Sequence, residues 1–396
     1  MRPAGHAGEY PAGHPGGHAG RHPAGHPGAP SYEAVRAAQV GYVYDRAPMM
    51  FYWEMTQACD LACTHCRAEA QPHRDPDELT TDEAKAMLRQ VLRFGAPLPH
   101  VVFTGGDPLK RADLHELVSY AKGLGIGASL APAGTPLLTR EAIFALRDAG
   151  VQSMSLSLDG SSAERHDTFR GVPGCFQRTI DAVGWVAESG LPLQVNTLVT
   201  DETAADLPAI YALLTRYPID RWSLFFLISV GRGTALRELD PVSTESLMHW
   251  LYDVMPDAPF AIKTTEAPHF RRIALARMKA DGWDGARIRR SPVGRGFGIR
   301  DGNGIMFVSR NGEITPSGFL PLAAGNVRTH DLVDVYRNSA LFVALRDPSR
   351  YKDRCGRCEY NMTCGGSRAR AFVHTGDPLA SDPLCAYVPP AVGATA

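Results

Sequence analysis

Three cysteines with close spacing follow the first strand-like run of the chain. They are Cys59, Cys63 and Cys66, in the pattern CxxxCxxC. Thiolates at this spacing can ligate three irons of a four-iron cubane, which leaves the fourth iron without a protein ligand. An open position on a metal centre is where a small molecule can bind and react. The alternative interpretation is a structural zinc site completed by His65, or a group of buried thiols.

Four more cysteines lie near the end of the chain with the spacing CxxCx₅Cx₂₀C. Four thiolates can fully ligate a second cluster, which suits electron transfer rather than direct substrate binding. Because CxxC pairs also build zinc knuckles, a four-cysteine zinc site is the alternative. The remaining cysteine, Cys175, is interpreted as a small buried residue. The four late cysteines are Cys355, Cys358, Cys364 and Cys385.

Composition narrows the class of protein. The chain has 396 residues, and 41 basic against 42 acidic side chains give a net charge of −1. This balance gives no indication of a nucleic-acid or membrane partner. We find no secretory signal and no apolar stretch of the roughly 18 residues that a membrane helix needs. We therefore expect a cytoplasmic protein whose clustered cysteines bind metal rather than form disulfides.

Short β-rich runs alternate with longer helical runs between residues 48 and 255. Repeated strand–helix units predict an α/β fold with a parallel sheet, and six units suit a partial (β/α)₆ TIM-like barrel. In such barrels the active groups lie at the carboxyl ends of the strands. The predicted strands are Met50–Thr56, His100–Thr104, Gly127–Leu130, Ser153–Leu158, Leu193–Val199 and Trp222–Ile228. The predicted helices cover 81–94, 111–124, 139–149, 176–189, 203–217 and 243–254.

Three other regions flank the predicted barrel. Residues 1–30 consist mainly of Gly, Pro, Ala and His, which predicts a disordered tail. Residues 256–300 form a less regular, arginine-rich bridging segment, and residues 301–390 form a small C-terminal module. An Asn-Gly pair in that module predicts a β-hairpin. Its strands are Ile305–Val308 and Glu313–Thr315.

The CxxxCxxC motif after a first barrel strand resembles that of the radical S-adenosylmethionine (SAM) superfamily. The resemblance covers about residues 48–390. It implies that the three early cysteines hold a 4Fe–4S cluster whose open iron binds the amino and carboxylate groups of SAM. Reductive cleavage of SAM then gives a 5′-deoxyadenosyl radical that abstracts hydrogen from a substrate. The family's aromatic residue before the third cysteine is His65 here, whose ring can stack on adenine.

Motifs at the ends of later strands resemble the SAM contacts of this family. Thr104-Gly-Gly-Asp-Pro108 looks like the GGEP motif with Asp for Glu, and its peptide groups would bind the methionyl ammonium. The alternatives are a generic Gly-Gly turn here, helix capping for His166 and Asp167, and core packing elsewhere. The implied SAM-binding residues are Gly105, Gly106, Asp107, Ser155, Ser157, Asp159, Arg170, Asn196 and Arg232.

Residues 301–390 resemble the SPASM/twitch extension of radical SAM maturases. Full SPASM modules carry seven cysteines and two auxiliary clusters. Here Ser317 and Ser367 stand where many relatives have cysteine. The resemblance therefore implies one auxiliary 4Fe–4S cluster, with Cys385 as its fourth ligand.

The segment Thr264–Arg272 indicates where a substrate would bind. Glu266 and His269 are the candidate acid–base groups. Its arginines, with those that follow, predict an anion-binding rim suited to propionate carboxylates or an acidic peptide. The alternative is a solvated basic loop. The arginines are Arg271, Arg272, Arg287, Arg289, Arg290, Arg295 and Arg300.

Two substrate classes remain open within the radical SAM interpretation. The run 312–328, with the late cysteines, is similar to the radical SAM enzymes of heme and heme d1 biosynthesis, which alter tetrapyrrole propionate side chains. SPASM-type maturases instead modify ribosomal peptides. Either activity implies an external electron donor such as flavodoxin or ferredoxin. The alternative from another class is a non-catalytic scaffold that binds zinc or an iron–sulfur cluster.

Overall fold

The computed structural model describes residues 43–390, so the predicted tail at 1–30 lies outside the described residues. Ten strands form one sheet in the order β10-β9-β8-β1-β2-β3-β4-β5-β6-β7. Within residues 43–390, no helix is both long and apolar enough to cross a bilayer. The strands are β1 Met50–Glu54, β2 His100–Thr104, β3 Ala128–Leu130, β4 Val151–Ser157, β5 Leu193–Val199, β6 Arg221–Phe226, β7 Ala261–Thr265, β8 Ile305–Val308, β9 Glu313–Thr315 and β10 Gly325–Asn326.

Helices connect the parallel strands β1 to β7, as crossovers between parallel neighbours require. The first of them starts at a capping box, in which Thr80 and Glu83 each bond the backbone of the other. The helices are α1 Thr81–Val91, α2 Leu114–Gly123, α3 Arg140–Ala149, α4 Ala163–Arg170, α5 Cys175–Ser189, α6 Leu207–Leu214, α7 Pro241–Val254, α8 Phe270–Ala280, α9 Gly285–Arg290, α10 Leu332–Asn338, α11 Ala340–Arg346, α12 Asp353–Arg357 and α13 Arg368–Thr375.

The two faces of the curved sheet differ in chemistry because side chains alternate along each strand. The outer face is apolar and packs under the helices, as Trp222 does against Tyr211 and Trp250. Burial of each such side chain contributes about 1.5–3 kcal/mol. The inner face is largely polar. It carries Tyr52, His100, Ser129, Ser153, Ser155, Ser157, Gln194, Asn196, Arg221, Ser223, Lys263 and Thr265.

The six predicted barrel strands are all present, with ends that differ by up to two residues from the prediction. The expectation that residues 256–300 are less regular is wrong, because β7, α8 and α9 lie there. Helix α4 was also missed. Its side chains are nearly all polar and two of them, His166 and Arg170, are buried, so it lacks the apolar stripe that marks a surface helix.

The predicted hairpin forms, with β8 and β9 antiparallel. Its first strand also pairs in parallel with β1, where Met50 lies opposite Ile305. The C-terminal region therefore begins inside the barrel's own sheet. As a result, β1 has a neighbour on each side, and the loop that follows it leaves from the interior of the sheet.

Candidate functional site

The early cysteines lie on the loop that follows β1. Cys59 and Cys63 are buried and Cys66 is partly exposed, and all three belong to one small apolar cluster. The sulfur of Cys66 accepts a hydrogen bond from the Ala70 amide at 3.3 Å, and that of Cys59 accepts one from Leu61 at 3.4 Å. Burial raises the pKa of the Cys59 thiol to about 12. Amide donors on these sulfurs suit thiolate ligands of a metal cluster.

Glycines at two strand ends press against this cysteine loop. After β2, the amides of Gly106 and Asp107 donate to the carbonyls of Thr56 and Ala58 at 2.8 and 2.7 Å. A Cβ added to Gly106 would lie 2.5 Å from the Ala58 oxygen. The predicted close approach of the Gly-Gly backbone is therefore an approach to the cysteine loop.

On the other side, Gly231 follows β6 with φ +54, and its added Cβ would lie 2.5 Å from the Arg67 oxygen. The next amide, of Arg232, donates to the Cys66 carbonyl at 3.1 Å. Only a residue without a side chain fits this left-handed position against the loop. The loop is thus held between the carboxyl ends of β2 and β6.

Asp107, the acid of the Gly-Gly-Asp-Pro motif, is fully buried and bonded within the protein. Its carboxylate accepts from the Leu109 amide at 3.1 Å and from the Thr135 hydroxyl at 2.7 Å. Burial raises its pKa. The side chain therefore fixes the β2 end to the loop after β3, which positions the motif.

A buried ionic group forms where β4 ends. Asp159 pairs with Arg170, accepts from the Leu198 amide at 2.7 Å, and donates its own amide to His166 at 3.0 Å. Burial alone would raise the pKa of Asp159, but the guanidinium of Arg170 beside it holds that pKa below its usual value. Arg170 also donates to the Cys63 sulfur at 3.7 Å. This group therefore connects β4 and β5 to the cysteine loop.

Several buried polar atoms around the loop have no hydrogen-bond partner within residues 43–390. Such atoms cost about 1–3 kcal/mol each unless something bonds them. Their concentration beside three thiols fits a polar bound ligand such as SAM on a cluster. They are Nδ1 of His65, Nε2 of His166, Nε of Arg170, and Nε and Nη2 of Arg232.

His65, the predicted adenine-stacking residue, stacks on Phe169 with ring centroids 4.8 Å apart and planes at 19°. Burial, then the nearby Arg170, lowers its pKa to about 4, so the ring is neutral near pH 7. The neutral ring retains an unsatisfied Nδ1 that a ligand can bond.

The predicted contacts on β4 and β5 lie together on the inner face. Ser157 is in register with Asn196, and Ser155 with Gln194. The Asn196 side-chain oxygen accepts from Gln194 at 2.7 Å. These residues share the inner face of the sheet.

Glu266 and His269 follow β7, where they face the C-terminal region. Glu266 has φ +57, accepts from the Ser367 hydroxyl at 2.6 Å, and its pKa is raised well above the usual value by burial and then by Asp301. His269 is 1% exposed, and neither ring nitrogen has a partner within residues 43–390. Burial lowers its pKa to about 4. Burial therefore favours the neutral form of both side chains.

The late cysteines come together. Cys355, Cys358, Cys364 and Cys385 line one small cavity, together with Arg272 of α8. Burial raises the pKa of Cys364 to about 12. Buried Arg368 contacts the Cys355 sulfur at 3.7 Å and donates to the carbonyls of Pro378 and Ala380 at 3.0 and 2.7 Å.

The four late thiols line one cavity and can ligate either a second iron–sulfur cluster or a zinc ion. Both groups that the sequence allows therefore fit these ligands.

The structure separates the arginines of the predicted rim. Arg272 pairs with Glu245 at 2.6 Å, Arg287 stacks on Trp283, and Arg300 is buried against Tyr351. Arg289, Arg290 and Arg295 are exposed on and after α9.

Two basic inner-face residues, Arg221 and Lys263, escaped the sequence analysis. The available signal was a charge within a β-rich run, Ala261-Ile-Lys-Thr-Thr265. Such a residue points to a polar interior when the strand belongs to a barrel.

The chain matches a family model and resembles named proteins along most of its length. Residues 53–214 match the model of the Radical SAM superfamily. The chain is 40% identical to an AdoMet-dependent heme synthase of Oleidesulfovibrio alaskensis, over 85% of this chain and 87% of that protein. It is 38% identical to an AdoMet-dependent heme synthase of Methanosarcina barkeri, over 87% of this chain and 97% of that protein.

Solved structures share the fold. The structure of Streptococcus suis SuiB bound to precursor peptide SuiA superposes with a TM-score of 0.67 and 19% identity. The match covers 86% of this chain and 76% of SuiB. At this identity the likeness concerns the fold alone.

Proposed function

The chain belongs to the radical SAM superfamily, and we propose that this enzyme abstracts hydrogen from a propionate side chain of an iron tetrapyrrole. One observation carries the proposal. A loop with three thiols is held between the carboxyl ends of β2 and β6, beside buried polar atoms that have no partner within residues 43–390. The 40% identity to a heme synthase favours the tetrapyrrole among the two substrate classes.

The cofactor supplies the radical chemistry, and the chain supplies its ligands and contacts. When bound, a reduced 4Fe–4S cluster with SAM provides a 5′-deoxyadenosyl radical, which abstracts hydrogen atoms. Cys59, Cys63 and Cys66 would hold that cluster. The backbone at Gly105 and Gly106 would meet the ligand near Asp107. The remaining proposed SAM contacts are Ser155, Ser157, Asp159, Arg170, Asn196 and Arg232.

The proposed reaction balances on the substrate side. Loss of one hydrogen atom from the propionate carbon next to the ring, then of CO₂ and one electron, leaves a vinyl group. Heme carries vinyl groups of this kind. A flavodoxin or ferredoxin supplies the initial electron, and we propose the same class of carrier as acceptor of the one released, so SAM is the net oxidant.

Glu266 and His269 are proposed as the acid and the base beside the substrate. Burial favours the neutral form of each side chain, so Glu266 can donate a proton and an unpartnered nitrogen of His269 can accept a hydrogen bond. Cys355, Cys358, Cys364 and Cys385 are proposed to hold one auxiliary 4Fe–4S cluster. The C-terminal module at 301–390 remains a proposal, whereas the barrel sheet continues past the predicted limit of 255, because β7 pairs in parallel with β6.

The test combines metal content with product mass. Anaerobically reconstituted protein should hold about eight irons per chain and absorb near 400 nm. With reductant, SAM and an iron porphyrin bearing four propionates, it should release 5′-deoxyadenosine. The porphyrin should become lighter by the elements of formic acid for each converted side chain.

Two outcomes would contradict the proposal in different ways. Zinc without iron would favour the non-catalytic scaffold. Release of 5′-deoxyadenosine with an unchanged porphyrin mass, but with a modified ribosomal peptide, would assign the enzyme to the peptide-modifying class.

A further inference from the structure

Arg272 borders the cavity that the four late cysteines share. It is the third residue of α8 and is 8% exposed. It lines that cavity together with Cys355, Cys358, Cys364 and Cys385. A charged side chain buried to this degree needs partners, because burial of an unpaired charge is costly. Its contacts therefore show which of its donors the protein itself satisfies.

Two contacts fix the guanidinium group of Arg272. Its Nη2 donates to both carboxylate oxygens of Glu245, at 2.7 and 2.6 Å. Its Cζ lies 4.7 Å from the ring centroid of Tyr387, two residues after Cys385. An ion pair and an aromatic ring together leave the planar group little freedom to turn. Glu245 does not line the cavity, so the positive end of this ion pair is the end that borders the thiols.

One donor of Arg272 remains unused. Its Nε is buried and has no hydrogen-bond partner within residues 43–390, the four cysteine sulfurs included. Arg368, a second buried arginine at these cysteines, donates to the Pro378 and Ala380 carbonyls and contacts the Cys355 sulfur. The bonds of Arg368 therefore stay within the protein. Since a buried donor without an acceptor is costly, Nε of Arg272 favours an acceptor inside the cavity.

We propose that Nε of Arg272 donates a hydrogen bond to a sulfur of the auxiliary cluster and thereby raises the reduction potential of that cluster. The inference rests on the proposed function, which includes the auxiliary cluster, and deepens it. Reduction adds negative charge to a cluster, and a guanidinium stays positive at physiological pH, so it stabilises the reduced form more than the oxidised form. Net charge and hydrogen bonds to the sulfurs are among the factors that set such potentials.

The test is an anaerobic redox titration of the cluster-loaded enzyme, followed by electron paramagnetic resonance. SAM changes the signal of the cluster that it binds, so the signal that SAM leaves unchanged belongs to the late cysteines. We expect Arg272→Gln to shift the late cluster about tenfold towards its oxidised form, as loss of one charge-assisted contact implies. For a one-electron couple, this shift lowers the potential by about 59 mV. The early cluster is the internal reference and should keep its potential.

Arg277→Gln is the matched control on the same helix. Arg277 pairs with Asp253 at 2.7 Å, and its Cζ lies 4.8 Å from the ring centroid of Tyr252, but it does not line the late-cysteine cavity. Its substitution should therefore leave the potential of the late cluster unchanged.

A second variant, Arg272→Lys, keeps the charge but lacks the Nε donor. We expect a smaller shift towards the oxidised form of about threefold, which lowers the potential by about 28 mV. If glutamine prevents loading of the late cluster, the lysine variant decides the question. A potential equal to that of the wild type would then overturn the inference.

Iron content separates failure of this inference from failure of the proposed function. If the wild type and Arg272→Gln both hold about eight irons per chain and their late clusters have equal potentials, the contact is absent and the auxiliary cluster stands. An equal shift in Arg277→Gln would also overturn the inference, because the contact would then not be what sets the potential. Zinc at the late cysteines of the wild type would overturn both the auxiliary cluster and the inference.

Discussion

The two groups of cysteines lie in contrasting settings. The early group lies on a loop between the ends of β2 and β6, and polar atoms of His65, His166, Arg170 and Arg232 beside it have no partner within residues 43–390. The late group lies among short turns, where most surrounding polar groups are bonded within the protein. Arg368, for example, bonds the Pro378 and Ala380 carbonyls.

This contrast indicates that the two cysteine groups suit different ligands, one that exchanges and one that stays bound. A site with three thiols and spare donors suits a molecule that binds and leaves. A site with four thiols and satisfied neighbours suits a group that stays. His269 and Nε of Arg272 are exceptions, and Arg272 lines the late-cysteine cavity itself.

The largest effect should come from the early thiols. We expect Cys63→Ala to abolish release of 5′-deoxyadenosine, because two thiolates cannot hold the cluster that binds SAM. The matched control is Cys175→Ala, which removes a buried thiol of the same apolar cluster that is not a predicted ligand. It should keep activity within about threefold and cost about 1–2 kcal/mol of stability. Equal losses in both variants would mean that the thiols serve packing alone.

The next largest effect should come from the strand end that holds the loop. Gly231→Ala places a methyl group 2.5 Å from the Arg67 oxygen at a left-handed φ of +54. Strain of about 1–3 kcal/mol should displace the loop and weaken SAM binding about tenfold or more in equilibrium dialysis. Gly125→Ala is the control, since its φ is +75 but nothing lies within 4 Å of the added Cβ. Unchanged SAM affinity for Gly231→Ala would show that the end of β6 does not position the cysteine loop.

A smaller effect on SAM cleavage is expected at the late group. Cys358→Ala should lower the iron content from about eight to about four per chain, while 5′-deoxyadenosine release falls only severalfold. The cause is that this thiol lies in a separate cavity from the early cysteines. Complete loss of SAM cleavage with intact early iron would show that the two groups do not act separately.

The smallest effect should follow Asp107→Asn. The carboxylate already accepts bonds from Leu109 and Thr135, so we expect SAM affinity to change by less than about threefold. The temperature of thermal unfolding should fall by several degrees, because the free energy of unfolding decreases by about 1–2 kcal/mol. A tenfold loss of SAM affinity with unchanged thermal stability would instead place this acid on the ligand.

Local patterns predicted most of the barrel and both cysteine groups. The strands of the barrel are short β-rich runs with helical runs between them, and both signals lie within the chain itself. Strand β7 was missed because Lys263 interrupts its pattern, and α4 because His166 and Arg170 turn inward. The neighbours of the basic residues Arg221 and Lys263 on the inner face depend on the pairing of distant strands, which no local pattern encodes.

The side-chain direction of individual motif residues is not encoded locally either. Gly106 and Asp107 were predicted as ligand contacts, but the structure shows them also bonded to the cysteine loop and to Thr135. A short motif gives the residue types at a strand end. It does not tell whether a side chain turns to the ligand or to the protein.

The parallel pairing of β8 with β1 affects the order in which the nascent protein can fold. Met50 pairs with Ile305, so β1 keeps an open edge until most of the polypeptide has left the ribosome. Exposed strand edges of this kind invite aggregation, and contacts so distant along the chain form slowly. We therefore expect cluster insertion to follow synthesis. A chain truncated before residue 305 should be recovered in inclusion bodies, even though it contains the whole CxxxCxxC motif.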